Sequence, residues 1–150
     1  MPDAVDAVRD QIEEVVQGVG FRIVELHSSV IKGRTHVNLV VYRPEGVSID
    51  DCAEVHKTLR PRLELLLDDR DVAIQVASPG IDRTIKDNAE FAVFTGRGVS
   101  ILSRETGEWF GGIVGDAGER EVEVRASEET RRIPYADIQK AKLDYTQEVR

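Results

Sequence analysis

Residues Ser78-Pro79-Gly80-Ile81-Asp82-Arg83 stand where two differently patterned stretches of the chain meet, and no other segment constrains the fold as much. Proline presets a negative φ and glycine accepts a positive one, so Pro79 and Gly80 match the central positions of a type II turn. Before this turn the sequence alternates helix-period and strand-period runs, whereas after it come short strand-like pieces separated by turn residues. A chain of 150 residues can hold one large domain or two small ones. The change of pattern predicts two, an N-terminal α+β domain over residues 1–84 and a C-terminal barrel over residues 85–150.

In the first stretch, residues 3–18 read as an amphipathic helix capped by Asp3. Val5, Val8, Ile12, Val15, Val16 and Val19 keep one face, and Gly18 and Gly20 end it. Residues 21–30 and 35–42 read as a hairpin joined through Lys32-Gly33-Arg34. The second run alternates, with Thr35, Val37, Leu39 and Val41 on one side, as in a sheet covered on one face. Ser48 and Asp51 have the spacing of a capping box and start a second helix with Cys52, Val55, Leu59, Leu63 and Leu66 on its buried face. Pro61 lies inside that periodicity and predicts a kink or an early end. Residues 72–77 supply a third strand with Val72, Ile74 and Val76 turned inward. The order is αββαβ, two helices on a three-stranded sheet.

In the second stretch, residues 88–94 read as one short helix ended by Gly96. Strand patterns follow at residues 99–103, 109–114, 121–125, 129–133 and 138–143, with turn signals at Glu105-Thr106-Gly107 and Asp116-Ala117-Gly118. Short strands at this spacing fit a small barrel of the SH3 or Sm type. Trp109 or Phe110, with Ile113, Val122, Val124 and Ile133, is expected to dominate its thin core.

Charge narrows the function. The chain carries −8 overall; ten Lys+Arg against fifteen Asp+Glu leave −5 up to Thr84, and ten against thirteen leave −3 beyond it. Proteins that grip nucleic acid through phosphates usually carry a basic excess, because counterion release supplies much of the affinity. An acidic protein working near RNA is better suited to docking on a basic protein, with RNA contact confined to a local patch. No apolar run approaches the roughly 20 residues of a membrane span, the first residues lack a basic cluster and an apolar core, and Cys52 is the single cysteine. A soluble, cytoplasmic protein without membrane contact is the expectation, as a monomer and without a cofactor.

Enzyme signatures are weak. Cys52 and His56 are i,i+4 on one helix, but Cys52 falls on the apolar stripe and no further Cys or paired His completes a metal set. Asp50 and Asp51 suit a helix start, where negative charge complements the dipole. His27 and His36 are candidate cross-strand neighbours, and two imidazoles do not make a metal site. There is no phosphate-binding loop, G-x-S-x-G or H-E-x-x-H. A non-enzymatic protein is expected.

Five short motifs in order give the chain a wider resemblance. Gly20-Phe21 with Val24-Glu25, Gly46-Val47-Ser48-Ile49-Asp50-Asp51-Cys52, Ala77-Ser78-Pro79-Gly80-Ile81-Asp82-Arg83, Phe91 with Phe94 and Gly96, and Ile138-Gln139-Lys140-Ala141-Lys142-Leu143 together resemble the bacterial ribosome maturation factor P family, RimP. The chain departs from that family at Thr84, where proline is frequent, and at Arg104-Glu105-Thr106-Gly107-Glu108, where the first barrel hairpin is often basic. The resemblance implies an αββαβ domain joined to an SH3-like barrel. It implies a non-enzymatic factor that binds the immature small (30S) ribosomal subunit, contacts small-subunit ribosomal protein twelve and helps the rRNA reach its mature fold.

The candidate partner-binding residues are Ser78, Pro79, Gly80, Asp82 and Arg83 at the joint, and Lys140 and Lys142 on the last strand. Arg83 suits a phosphate contact or a pair with Asp82, and a purely positional turn accounts for the same residue types. Lys140 and Lys142 share a face by period 2, as a basic stripe or as lysines guarding a sheet edge. Arg131-Arg132 could meet RNA, although Glu128 and Glu129 just before them favour a solvated charged strand. Lys32 and Arg34 project from a hairpin tip. A general RNA-binding module is the alternative function, against which stand the lack of a G-x-x-G loop between two helices and of any aromatic-basic cluster in the sequence.

Overall fold

The computed structural model describes residues 5–69 and 71–148, and the chain divides between Pro79 and Gly80 into two compact units. It is an α+β protein whose first unit follows the αββαβ order and whose second is built on a five-stranded antiparallel sheet.

The first unit opens with a 3₁₀ turn, Asp6–Val8, that runs into α1, Arg9–Gly18. The proposed Asp3 cap lies outside the described residues, and the residue before α1 is Val8, which makes no side-chain cap. The other end is closed as the sequence suggested. Gly20 sits at φ +93, its N–H bonds the Gln17 carbonyl at 3.0 Å, and the Phe21 N–H reaches the Val16 carbonyl at 3.2 Å. This is a Schellman closure, and glycine supplies its left-handed residue.

The chain then turns into β1, Arg22–Ile31, and β2, Arg34–Tyr42, paired antiparallel with Ile31 opposite Arg34. Lys32 and Gly33 both have positive φ, 52° and 76°, so the hairpin closes through a two-residue turn of the kind that matches strand twist. In α2, Ile49–Leu66, the Asp51 N–H donates to Ser48 Oγ and the Ser48 N–H donates to Asp51 Oδ2, completing the capping box. Pro61 does not end α2, which continues to Leu66. Its ring is exposed, while Leu59 and Leu63 on either side are fully buried and anchor both halves of the helix.

β3, Ala73–Ala77, pairs parallel to β2, giving the order β1-β2-β3. Val5, Ile12, Val16, Leu26, Val37, Leu39, Val41, Val55, Leu59, Leu63 and Val72 form the buried core, and Ile74 and Val76 pack against it. Burying a Val, Leu or Ile side chain is worth about 1.5–3 kcal/mol, so this cluster is what holds helices and sheet together.

In the second unit a four-residue helix, α3 (Glu90–Val93), precedes β4 (Gly98–Ser103), β5 (Trp109–Ala117), β6 (Glu121–Arg125), β7 (Thr130–Pro134) and β8 (Ile138–Leu143). The sheet order is β7-β6-β5-β4-β8, so the last strand returns beside the first. No ladder joins β7 to β8 among the described residues; the sheet is open, consistent with a small barrel-like domain.

The core differs from expectation at its aromatic positions. Phe91 and Phe94, from α3 and the residue after it, are the largest fully buried side chains, and Ile101, Val99, Val114, Val122 and Val124 of the same unit are buried as well. Trp109 is 49% exposed and Ile113 is half-buried. The cause is register: Phe110 lies opposite the buried Ile101, which puts Trp109 on the outer face of β5.

Candidate partner and nucleic-acid interface

At the joint, the turn closes two residues later than expected. The Arg83 N–H bonds the Gly80 carbonyl at 3.2 Å, making Ile81 and Asp82 the central residues, and Gly80 is not in the left-handed region a type II turn would require. The reason lies downstream, where the chain is tied to β8 from Arg83 onward. The Leu143 N–H donates to the Arg83 carbonyl and the Ile85 N–H to the Ala141 carbonyl, both at 2.8 Å, and Thr84 bridges Lys142.

Arg83 is turned inward. Its guanidinium holds the Glu90 carboxylate through Nε at 2.9 Å and Nη2 at 3.2 Å, and the two side chains are only 9% and 4% exposed. The Lys86 N–H also donates to Glu90, at 3.2 Å. Such a bidentate, desolvated pair fixes geometry as well as charge. Ser78, Gly80, Ile81 and Asp82 are exposed, and Pro79 is half-buried.

The structure brings Lys140 and Lys142 together with Trp109, which the sequence offered, as an alternative to Phe110, for the core. Directly opposite residues in an antiparallel sheet share a face. Leu102 faces Lys140 on one side and Trp109 on the other, while Ser100 faces Lys142 and Gly111. Trp109, Leu102, Lys140 and Lys142 therefore lie on the outer face, opposite the buried Ala141 and Leu143. The Lys142 ammonium stands 5.5 Å from the Trp109 ring centroid, within cation–π range. The fold thus builds an aromatic-basic cluster that is invisible in the linear sequence, because its members are about thirty positions apart.

The rest of this outer face is closed by the chain's own end. A 3₁₀ turn, Tyr145–Gln147, follows Asp144, whose carboxylate accepts from Ser100 Oγ at 2.6 Å, from Thr146 Oγ1 and from Gln147 Nε2. These bonds, the Ser100 one foremost, hold the Asp144 carboxyl well below the usual carboxylate range. Gly98 and Gly111 permit this approach. A Cβ at Gly98 would meet the Asp144 carbonyl, and one at Gly111 would meet the Gln147 amide.

Arg34, Arg131 and Arg132 are engaged with acidic residues. Arg131 pairs with Glu129 at 2.9 Å and stacks 4.2 Å above Phe110; Arg132 lies 3.7 Å from Glu123 and 4.0 Å from Glu121. A cavity of about 350 Å³ beside them is lined by Trp109, Phe110, Arg131, Pro134 and Asp137 among others. Asp137 is tied by the Ser103 hydroxyl at 2.8 Å and the Glu105 N–H at 3.0 Å. Arg34 donates to the Asp71 carbonyl at 2.8 Å.

Cys52 is half-buried, and burial, followed by the Asp51 charge, pushes its thiol up, away from the reactive thiolate. His27 and His36 are diagonal rather than opposite, since His27 faces Asn38 and His36 faces Ser29. No cluster of three metal-ligating side chains occurs among the described residues, and no described helix is long and apolar enough to cross a membrane.

Comparison with known proteins agrees with the motifs. A family model described as the RimP N-terminal domain matches residues 11–82. Proteins named ribosome maturation factor RimP align along both units. The one from Borrelia hermsii (strain HS1 / DAH) is 26% identical over 136 residues, 91% of this chain and 93% of the relative. Those from Borrelia turicatae (strain 91E135) and Borrelia recurrentis (strain A1) are 26% and 28% identical, with the same coverage.

Proposed function

We propose that this chain, which resembles proteins named ribosome maturation factor RimP along both units, is a ribosome maturation factor that binds the immature small (30S) subunit and performs no chemistry. The observation that carries this reading is that its likeness to proteins named as maturation factors runs through both units rather than one. Its mode of action is binding energy. A factor that holds a productive rRNA conformation more tightly than its competitors shifts the folding equilibrium by that difference and by nothing more.

The surface suits two kinds of contact. A net charge of −8 favours a basic protein partner, for which small-subunit ribosomal protein twelve is the proposed identity. Direct rRNA contact is proposed at the Trp109–Lys140–Lys142 face, and the exposed joint residues Ser78, Gly80 and Asp82 are proposed protein contacts. Arg83 enters this picture as a residue held inside the second unit by Glu90.

The test is sedimentation of the full chain with purified precursor small subunits and with mature ones. Association with precursors and little with mature subunits is expected, and equal association with both overturns the assembly role. A general RNA-binding module would instead bind naked rRNA as well as it binds precursors.

A further inference from the structure

We propose that the outer face of the second sheet is a stacking platform for an unpaired nucleobase, with Trp109 as the stacking surface and Lys142 and Lys140 as phosphate contacts. The proposal rests on a ribosomal site of action and adds the ligand class and the atoms that would recognise it.

Three features of the face point to single-stranded RNA. Trp109 is 49% exposed although it belongs to a strand whose other face is packed, so a large planar apolar surface is left in water at the edge of a rigid hairpin. The hairpin is held by the Ser103 N–H to the Glu108 carbonyl and the Gly107 N–H to the Ser103 carbonyl, both at 3.0 Å, which limits how far the indole can retreat. Next, the two lysines sit two residues apart on one strand face, about 7 Å along the strand, a step comparable to that between successive phosphates of an extended strand. Last, the Lys142 ammonium covers one face of the indole at 5.5 Å, so a base stacked on the other face, or on this one with the ammonium moved aside, has its phosphate within reach of a lysine.

Charge decides which part carries the affinity. With −8 overall and Glu105 and Glu108 in the adjoining hairpin, a long polyanion is repelled and only one or two phosphates can be accommodated. Stacking must then supply most of the binding, and it is tolerant of sequence because every base has a π-face. A basic peptide is the less favourable occupant, since the same two lysines repel it.

Trp109 is the chain's single tryptophan, so intrinsic fluorescence reports on this face alone. The full chain is titrated with hexauridylate, with hexaadenylate, with inorganic polyphosphate and with a short Lys-rich peptide. Saturable quenching by both oligonucleotides, but by neither of the others, is expected. With labelled oligonucleotide, Trp109→Ala should weaken binding about ten- to a hundredfold, with Trp109→Tyr restoring most of it. The log–log salt slope should be about −1.4 for two phosphate contacts on a single strand.

Absence of quenching at saturating oligonucleotide, quenching by the peptide alone, or wild-type affinity in Trp109→Ala overturns the platform. Sedimentation with precursor subunits separates this from the assembly role. If Trp109→Ala still binds precursors while oligonucleotide binding is unchanged, the platform falls and the role stands. If the wild-type chain binds oligonucleotides as expected yet ignores precursors, the platform stands and the role falls.

Discussion

Arg83 and Glu90 show how much one pair can decide. Both are charged residues of a kind that ordinarily faces water, yet the fold desolvates them together and ties the segment between joint and helix around them. Removing one partner of a buried pair leaves the other charge uncompensated, which costs about 3–5 kcal/mol. Arg83→Ala in the full chain is therefore expected to lower the unfolding free energy of the second unit by that amount, read as a fall in its urea midpoint at unchanged slope. Arg83→Met combined with Glu90→Met should recover most of the loss, because the penalty lies in the orphaned charge; a double variant no better than the single one would refute this. Nothing in the local sequence marks Glu90 as buried, since a glutamate opening a short helix ordinarily faces water.

Among elements, those specified by neighbouring residues were legible. Ser48 with Asp51, the Lys32-Gly33 turn and the Gly20 closure all act within a few positions, and each does what its residue types dictate. Features set by pairing across the sheet were not. Period 2 requires Trp109 and Phe110 to face opposite ways, but which one faces inward depends on β4. The aromatic-basic face was hidden for the same reason. The C-terminal turn is another such element, joined to β4 by the Asp144–Ser100 bond across 44 positions.

That turn carries a pH signature. The folded-state pKa of Asp144 is depressed below its ordinary value of 3.8, so its stabilisation is complete above that pH. It is lost as pH falls from there through the lower folded value. Between pH 7 and pH 3, wild-type protein should therefore lose more urea resistance than Asp144→Asn, and equal losses would show that the Ser100, Thr146 and Gln147 bonds do not favour the ionised form.

At the scale of the whole molecule, an acidic chain whose described residues include a small cationic face is poorly built to coat RNA and well built to bind where a basic protein and an unpaired strand lie close together. An unfinished small subunit offers both. The account's central claim is that ribosome maturation depends on this binding, and the most direct measurement is the small-subunit rRNA of cells depleted of the chain. The prediction is accumulation of unprocessed small-subunit rRNA in free, immature particles, reversed by restoring the wild-type chain. Small subunits that mature at the normal rate and in the normal amount without it would contradict the account.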